Sequence, residues 1–243
     1  MQAIGQGFES PQLHHFKMSY IYKEFYEYVD RPSGEPLGDT NRKIFNSFVW
    51  DNLIQPLLIP SNQILLTKQE LKRLEDFAIR KVKAKDTEWN GVDDGFRMKR
   101  EMTGAIVEYA LLKKYGKKEH FDDSIVTKSS LKNHPDLLPL GIFCDVKGSS
   151  MNNVPLIFKE SRSYTCSFGP YKCPNVIGVT DHTNVWLLGI ASPEVLQTYC
   201  DDNLIKNAEN TTKTGFFGFK QLIQLPNDWE TFNQLCLKIT VKP

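Results

Sequence analysis

The stretch His134-Pro-Asp-Leu-Leu-Pro-Leu-Gly-Ile-Phe-Cys-Asp-Val-Lys-Gly148 decides how the rest of this chain is read. Asp136 stands before a Leu-Pro-Leu-Gly turn, and Gly141 to Lys147 reads as the strand that follows, carrying Asp145 and Lys147. Residues two apart on a strand point to the same face, so Asp145 and Lys147 share one. Asp136 meets them if the two segments pair as a hairpin. Two carboxylates converging on one point repel each other unless a cation lies between them, and magnesium, with oxygen ligands and several waters, suits such a pair. The chemistry open to it is phosphate-ester hydrolysis, with the lysine orienting water or stabilising charge on phosphorus.

Working outward, a helix is expected from about Phe96 to Tyr115. Met98, Met102, Ala105, Tyr109 and Leu112 step by three and four, and Lys113, Lys114 and Gly116 close it. Glu108 sits on this helix among apolar neighbours, where a carboxylate is costly to bury unless something positive meets it. An earlier helix begins at Thr67, whose capping box with Glu70 precedes Leu71, Leu74, Phe77, Ala78 and Val82 on one face. Beyond Gly116 the period shortens. Ser124 to Lys128, Pro155 to Lys159, Asn175 to Thr180 and Asn184 to Ala191 read as strands, and a helix starts at Ser192-Pro193-Glu194. The order implies an α/β or α+β domain.

The acidic and basic pattern resembles the PD-(D/E)xK, or restriction-endonuclease-like, nuclease superfamily. Pro135-Asp136 matches its PD element, Asp145-Val146-Lys147 its (D/E)xK element, and Glu108 the glutamate of the preceding helix. The resemblance covers roughly residues 96 to 191. It implies an α/β fold with a central mixed β-sheet flanked by helices. It also implies a magnesium-dependent deoxyribonuclease, with manganese as a substitute ion. Asp136, Asp145 and the Val146 carbonyl would be metal ligands, Lys147 the catalytic lysine, and Glu108 a further ligand or supporting base. On this reading residues 96–243 form the nuclease-like core with a C-terminal elaboration, and residues 1–95 an N-terminal helical extension or subdomain.

Other readings compete. An Asp-x-Lys strand is often a surface ion pair worth under about 1 kcal/mol. A non-catalytic nucleic-acid-binding or protein-interaction protein on the same fold is therefore the alternative. A third is a phage- or mobile-element-encoded protein that binds another protein through Phe216, Phe217 and Phe219. Seven basic against two acidic residues between Phe96 and Lys118 give a local excess suited to a phosphate backbone. Arg97, Lys99, Arg100, Arg162 and Lys172 are the candidate DNA contacts. Palindromic double-strand cutting would call for a homodimer.

Composition bounds these readings. The 243 residues carry 30 Lys and Arg against 29 Asp and Glu, a formal charge of +1, which excludes a globally basic nucleic-acid coat. No run approaches the roughly 20 apolar residues of a membrane helix. The first residues lack the basic leader and apolar core of a signal peptide. Five scattered cysteines fit a reducing compartment better than a disulfide framework. A soluble, cytoplasmic protein is the expectation.

Overall fold

A computed structural model of the chain describes residues 39–85, 94–121, 135–158, 164–166, 169–201 and 213–241. The expected strand at Ser124 to Lys128 and the candidate contact Arg162 lie outside the described residues. The helices are α1 (Asp39–Val49), α2 (Lys68–Lys85), α3 (Asp94–Lys114), α4 (Pro193–Thr198) and α5 (Trp229–Ile239). The strands are β1 (Gln63–Leu65), β2 (Asp145–Ser150), β3 (Leu156–Phe158), β4 (Tyr164–Cys166), β5 (Gly169–Tyr171), β6 (Asn175–Thr180), β7 (Asn184–Ala191), β8 (Cys200–Asp201) and β9 (Lys213–Phe216).

The centre is a mixed four-stranded sheet of order β1-β7-β6-β2, with helices against both faces. The chain is thus of the α/β class. β2 runs parallel to β6, whereas β6 with β7 and β7 with β1 are antiparallel. Alternation along the strands sorts their side chains between two cores. Val146, Val176, Val185 and Leu187 face α2, α3 and α5. Ile177, Val179 and Leu188 face α1, the π-helical turn Trp50–Ile54 and Phe216. Strand β7 changes phase at a bulge opposite Ile177 and Gly178, so Ile190 returns to the first core although Leu188 served the second. Gly189, at φ +148°, takes up this irregularity, and beyond it Ile190 exchanges two main-chain hydrogen bonds with Ile223.

Helix α3 lies close to the sheet because two glycines make room for it. Gly148 of β2 is in register with Gly178 of β6, and Val107 packs over both. A Cβ at Gly178 would stand 2.5 Å from Val107 Cγ1, and one at Gly148 would stand 2.8 Å from Cγ2 and 2.9 Å from the Thr103 carbonyl.

The expected capping box is present: the Thr67 N–H donates to Glu70 Oε2 at 2.8 Å and the Glu70 N–H to Thr67 Oγ1 at 3.2 Å. Within residues 1–95, β1 pairs with β7, and Leu74, Phe77 and Ala78 of α2 share a core with α3. One expectation needs correction: Phe216, Phe217 and Phe219 do not form an exposed interface. They are at most 2% exposed and complete the second core, each burial worth about 2–3 kcal/mol. Among the described residues, no helix is long and apolar enough to cross a membrane.

Candidate metal and nuclease site

The segment before β2 is a tight turn rather than a hairpin arm. Leu138–Leu140 is a 3-10 turn that ends on Gly141 at φ +79°, a left-handed conformation natural to glycine. The Leu137 N–H donates to the Cys144 carbonyl at 3.1 Å, and the Ile142 N–H donates back to Leu137 at 3.2 Å. Leu137 and Ile142 are buried beneath this loop. The wrapped turn uses up Gly141 to Cys144, so the strand begins at Asp145 and not at the expected Gly141.

That turn holds Asp136 against the edge of β2, where the Val146 N–H donates to Asp136 Oδ2 at 2.9 Å. The Asp145 N–H points the other way, to the Pro174 carbonyl at 3.0 Å, on the β6 side. A strand residue directs its N–H and C=O to the same edge. The Val146 carbonyl therefore opens on the edge that Asp136 occupies.

Asp145 is 1% exposed, and Lys147 forms an ion pair with its Oδ2. The Asp136 carboxyl lies within hydrogen-bonding range of Asp145. Burial and the Asp145 charge together push it well above the usual carboxylate range. Asp136 keeps much of its own surface open, so the neighbouring carboxylate is the firmer of the two causes. Burial works to lower the Lys147 ammonium, but Asp145 and Asp136 outweigh it and hold the group protonated. Asp136, Asp145 and Lys147 are thus brought together, with Val146 between them.

Glu108 joins them only loosely. It is half-buried on α3, and its charge adds to the rise at Asp136. Among the described residues, no three His, Cys, Asp or Glu side chains gather closely enough to hold a metal. The donor set that fits a hard divalent cation is accordingly the Asp136 and Asp145 carboxylates with the Val146 carbonyl, the remaining positions falling to water.

The basic candidates scatter. Arg97 is buried, 7% exposed, and Arg100 donates to Glu101 at 3.3 Å. Lys99 lines a cleft of about 640 Å³ between α2 and α3, with Lys68, Lys72 and His182. His182 follows the far end of β6, and β2 spans roughly 16 Å from Asp145 to Ser150. Lys99 therefore stands away from the carboxylates. Lys113 is engaged by Glu70 at 2.7 Å. Lys172 lies two residues before the Pro174 that receives the Asp145 N–H, its main chain bonded to Val241.

Sequence reasoning missed the brace behind the site. Thr240, at the end of α5, donates its hydroxyl to the Cys236 carbonyl at 2.7 Å, with the Phe143 carbonyl 3.4 Å away, and Val241 exchanges main-chain hydrogen bonds with Lys172 at 2.9 and 3.0 Å. The C-terminal segment so lies against the stretch that feeds β2 and is bonded to the one that feeds β6. Asp228 capping Thr231, with Trp229, Phe232, Cys236 and Ile239 at helical spacing, was the signal for α5. The chain matches no family model, no curated protein and no solved structure.

Proposed function

We propose that the chain is a divalent-metal-dependent deoxyribonuclease of the PD-(D/E)xK type, hydrolysing phosphodiester bonds from a restriction-endonuclease-like core. The observation that carries this reading is the meeting of the Asp136 and Asp145 carboxyls, with the Lys147 ammonium on Asp145, at the open edge of β2. Bound magnesium, or manganese in its place, supplies Lewis acidity toward a phosphate oxygen and lowers the pKa of bound water.

The chain's residues supply the rest. Asp136, Asp145 and the Val146 carbonyl hold the ion. Lys147 orients the attacking water and offers positive charge to the phosphorus as negative charge develops there. Glu108 acts on Asp136 from α3, and Lys172, two residues before the Pro174 that receives the Asp145 N–H, is the basic residue we assign to a phosphate of the bound strand. If the substrate is cut on both strands at a palindrome, two copies related by a two-fold axis are required.

Cleavage of supercoiled, linear and single-stranded DNA, in magnesium, in manganese and in EDTA, tests the reading beside Asp145→Ala and Lys147→Ala. Metal-dependent cutting lost in both folded variants is the expected result. Cutting that survives both rejects it.

One observation favours a second reading, a non-catalytic nucleic-acid-binding or interaction protein on the same fold. Lys147 closes on Asp145, and Asp136 is satisfied by Val146, as a purely structural ion pair would be. Salt-sensitive DNA binding without turnover in any divalent metal would select it.

A further inference from the structure

The register of β2 with β6 places Asp145 directly beside Asn175. In-register residues of parallel strands project to one face, so Asp145, Lys147 and Ser149 of β2 share a face with Asn175. Asn175 is 0% exposed. Its Nδ2 donates to the Cys173 carbonyl at 3.4 Å, while its Oδ1, fully buried, has no partner among the described residues. Ser149 Oγ, farther along the same face, is buried and unpartnered in the same sense. A buried amide oxygen without a donor is costly and asks for an explanation, such as a donor that arrives in another state of the site.

Lys147 has three donors on a flexible four-carbon stem, and its ammonium is already on the carboxylate that faces Asn175. If Asp145 gives its oxygens to a divalent cation, the ammonium is repelled from that position, and a largely buried ammonium needs another acceptor. Asn175 lies diagonally across from Lys147, within reach of a long side chain, and its oxygen carries no formal charge that would hold the lysine back.

Resting on the reading of Asp136 and Asp145 as cation ligands, we infer that Asn175 is a positioning residue of this centre, its Oδ1 being the acceptor for the Lys147 ammonium when Asp145 is engaged as a ligand. The lysine then moves between two partners on one face. Asn175 sets where the ammonium waits while water and phosphate enter.

Manganese affinity, read by electron paramagnetic resonance of the free ion, tests this without recourse to activity. Asn175→Leu, close to asparagine in shape, should weaken manganese binding tenfold or more while leaving the metal-free melting temperature unchanged or raised. In a Lys147→Met background the same substitution should change affinity less than twofold, because no ammonium remains to be received. Ser149→Ala should bind as wild type does. Asn175→Ala, which adds no atoms, gives the same comparison if leucine does not pack.

Wild-type affinity in Asn175→Leu would overturn the proposal and leave the carboxylate site standing. So would an equal loss in both backgrounds, which would make Asn175 a direct ligand or a structural residue. A loss in Ser149→Ala with none at Asn175 would move the acceptor to Ser149 and overturn it as well. Wild-type protein that binds no manganese would remove the carboxylate reading, and this inference with it.

Discussion

Asp136 and Val146 are joined by a hydrogen bond of 2.9 Å, from the strand's main-chain N–H to Oδ2 of the aspartate. One bond fixes the carboxylate at the free edge of the sheet and turns the Val146 carbonyl toward the same place. Asp136→Asn keeps an oxygen that can accept this N–H, so it should fold as wild type does and lose divalent-ion affinity at least tenfold. Asp136→Ala should lose about 1 kcal/mol more stability, the ordinary worth of such a bond. Chemical denaturation beside a manganese titration separates the two effects.

The pH dependence of stability has a definite sign at this site. The native carboxyl of Asp136 titrates above its unfolded value, so between those two values the folded chain binds the extra proton. Its contribution is full below the unfolded pKa, near 3.8, and is lost as pH rises through the native one. Wild-type stability measured against Asp136→Asn should therefore decline from about pH 4 upward. A difference that grows with pH would contradict the placement of Asp136 beside Asp145.

Glu70 carries the opposite sign. Burial would raise its carboxyl, but the Lys113 hydrogen bond and the Thr67 cap prevail and hold it at about 2. Its contribution is present above the unfolded value of 4.5 and is lost as pH falls toward 2. Glu70→Gln should cost about 1 kcal/mol near neutral pH, a modest figure because Lys113 is partly exposed, and the loss should vanish in acid. Denaturant midpoints between pH 2 and 7 decide it.

The sequence shows where helices and buried strands run, and its periodicity is legible wherever an element is long enough to repeat. β6 and β7 have the bounds expected from their apolar runs, and α3 differs from expectation by only a residue or two. What escapes a one-dimensional reading depends on contacts distant in the chain. β1 is three residues long and is a strand only because Asn184 to Trp186 lie beside it. Leu137 and Cys144 shorten β2 by wrapping the turn before it. At the candidate site, Asp145 and Lys147 could be placed on one face from their spacing alone. The partnership of Asp136 with a main-chain N–H, and the register of Asp145 with Asn175, required the fold.

The glycine pair beneath Val107 gives a test of how α3 is seated. Gly178→Ala should destabilise by about 1–3 kcal/mol, because its Cβ would stand 2.5 Å from Val107 Cγ1. Val107→Ala should recover much of that loss in the double variant, the coupling expected of side chains in contact. Gly148→Ala should be rescued less, since the Thr103 carbonyl at 2.9 Å cannot be trimmed away. Additive effects at Gly178 and Val107 would contradict the close approach.

The candidate DNA contacts separate by burial. Lys172→Ala should weaken DNA binding and lower the salt slope of log affinity by about one, as loss of a single phosphate contact does. Arg97→Ala, at a buried position, should lower stability and leave the salt slope unchanged. Titrations at several salt concentrations, beside melting curves, show which holds.

The most direct test of the nuclease assignment is the rate at which supercoiled DNA is nicked in magnesium by wild-type protein and by folded Lys147→Ala. Wild-type protein should nick the DNA in an EDTA-sensitive manner, and the variant should lose at least a hundredfold in rate with DNA affinity retained. Nicking by Lys147→Ala at the wild-type rate, or none by the wild type in any divalent metal, would contradict that assignment.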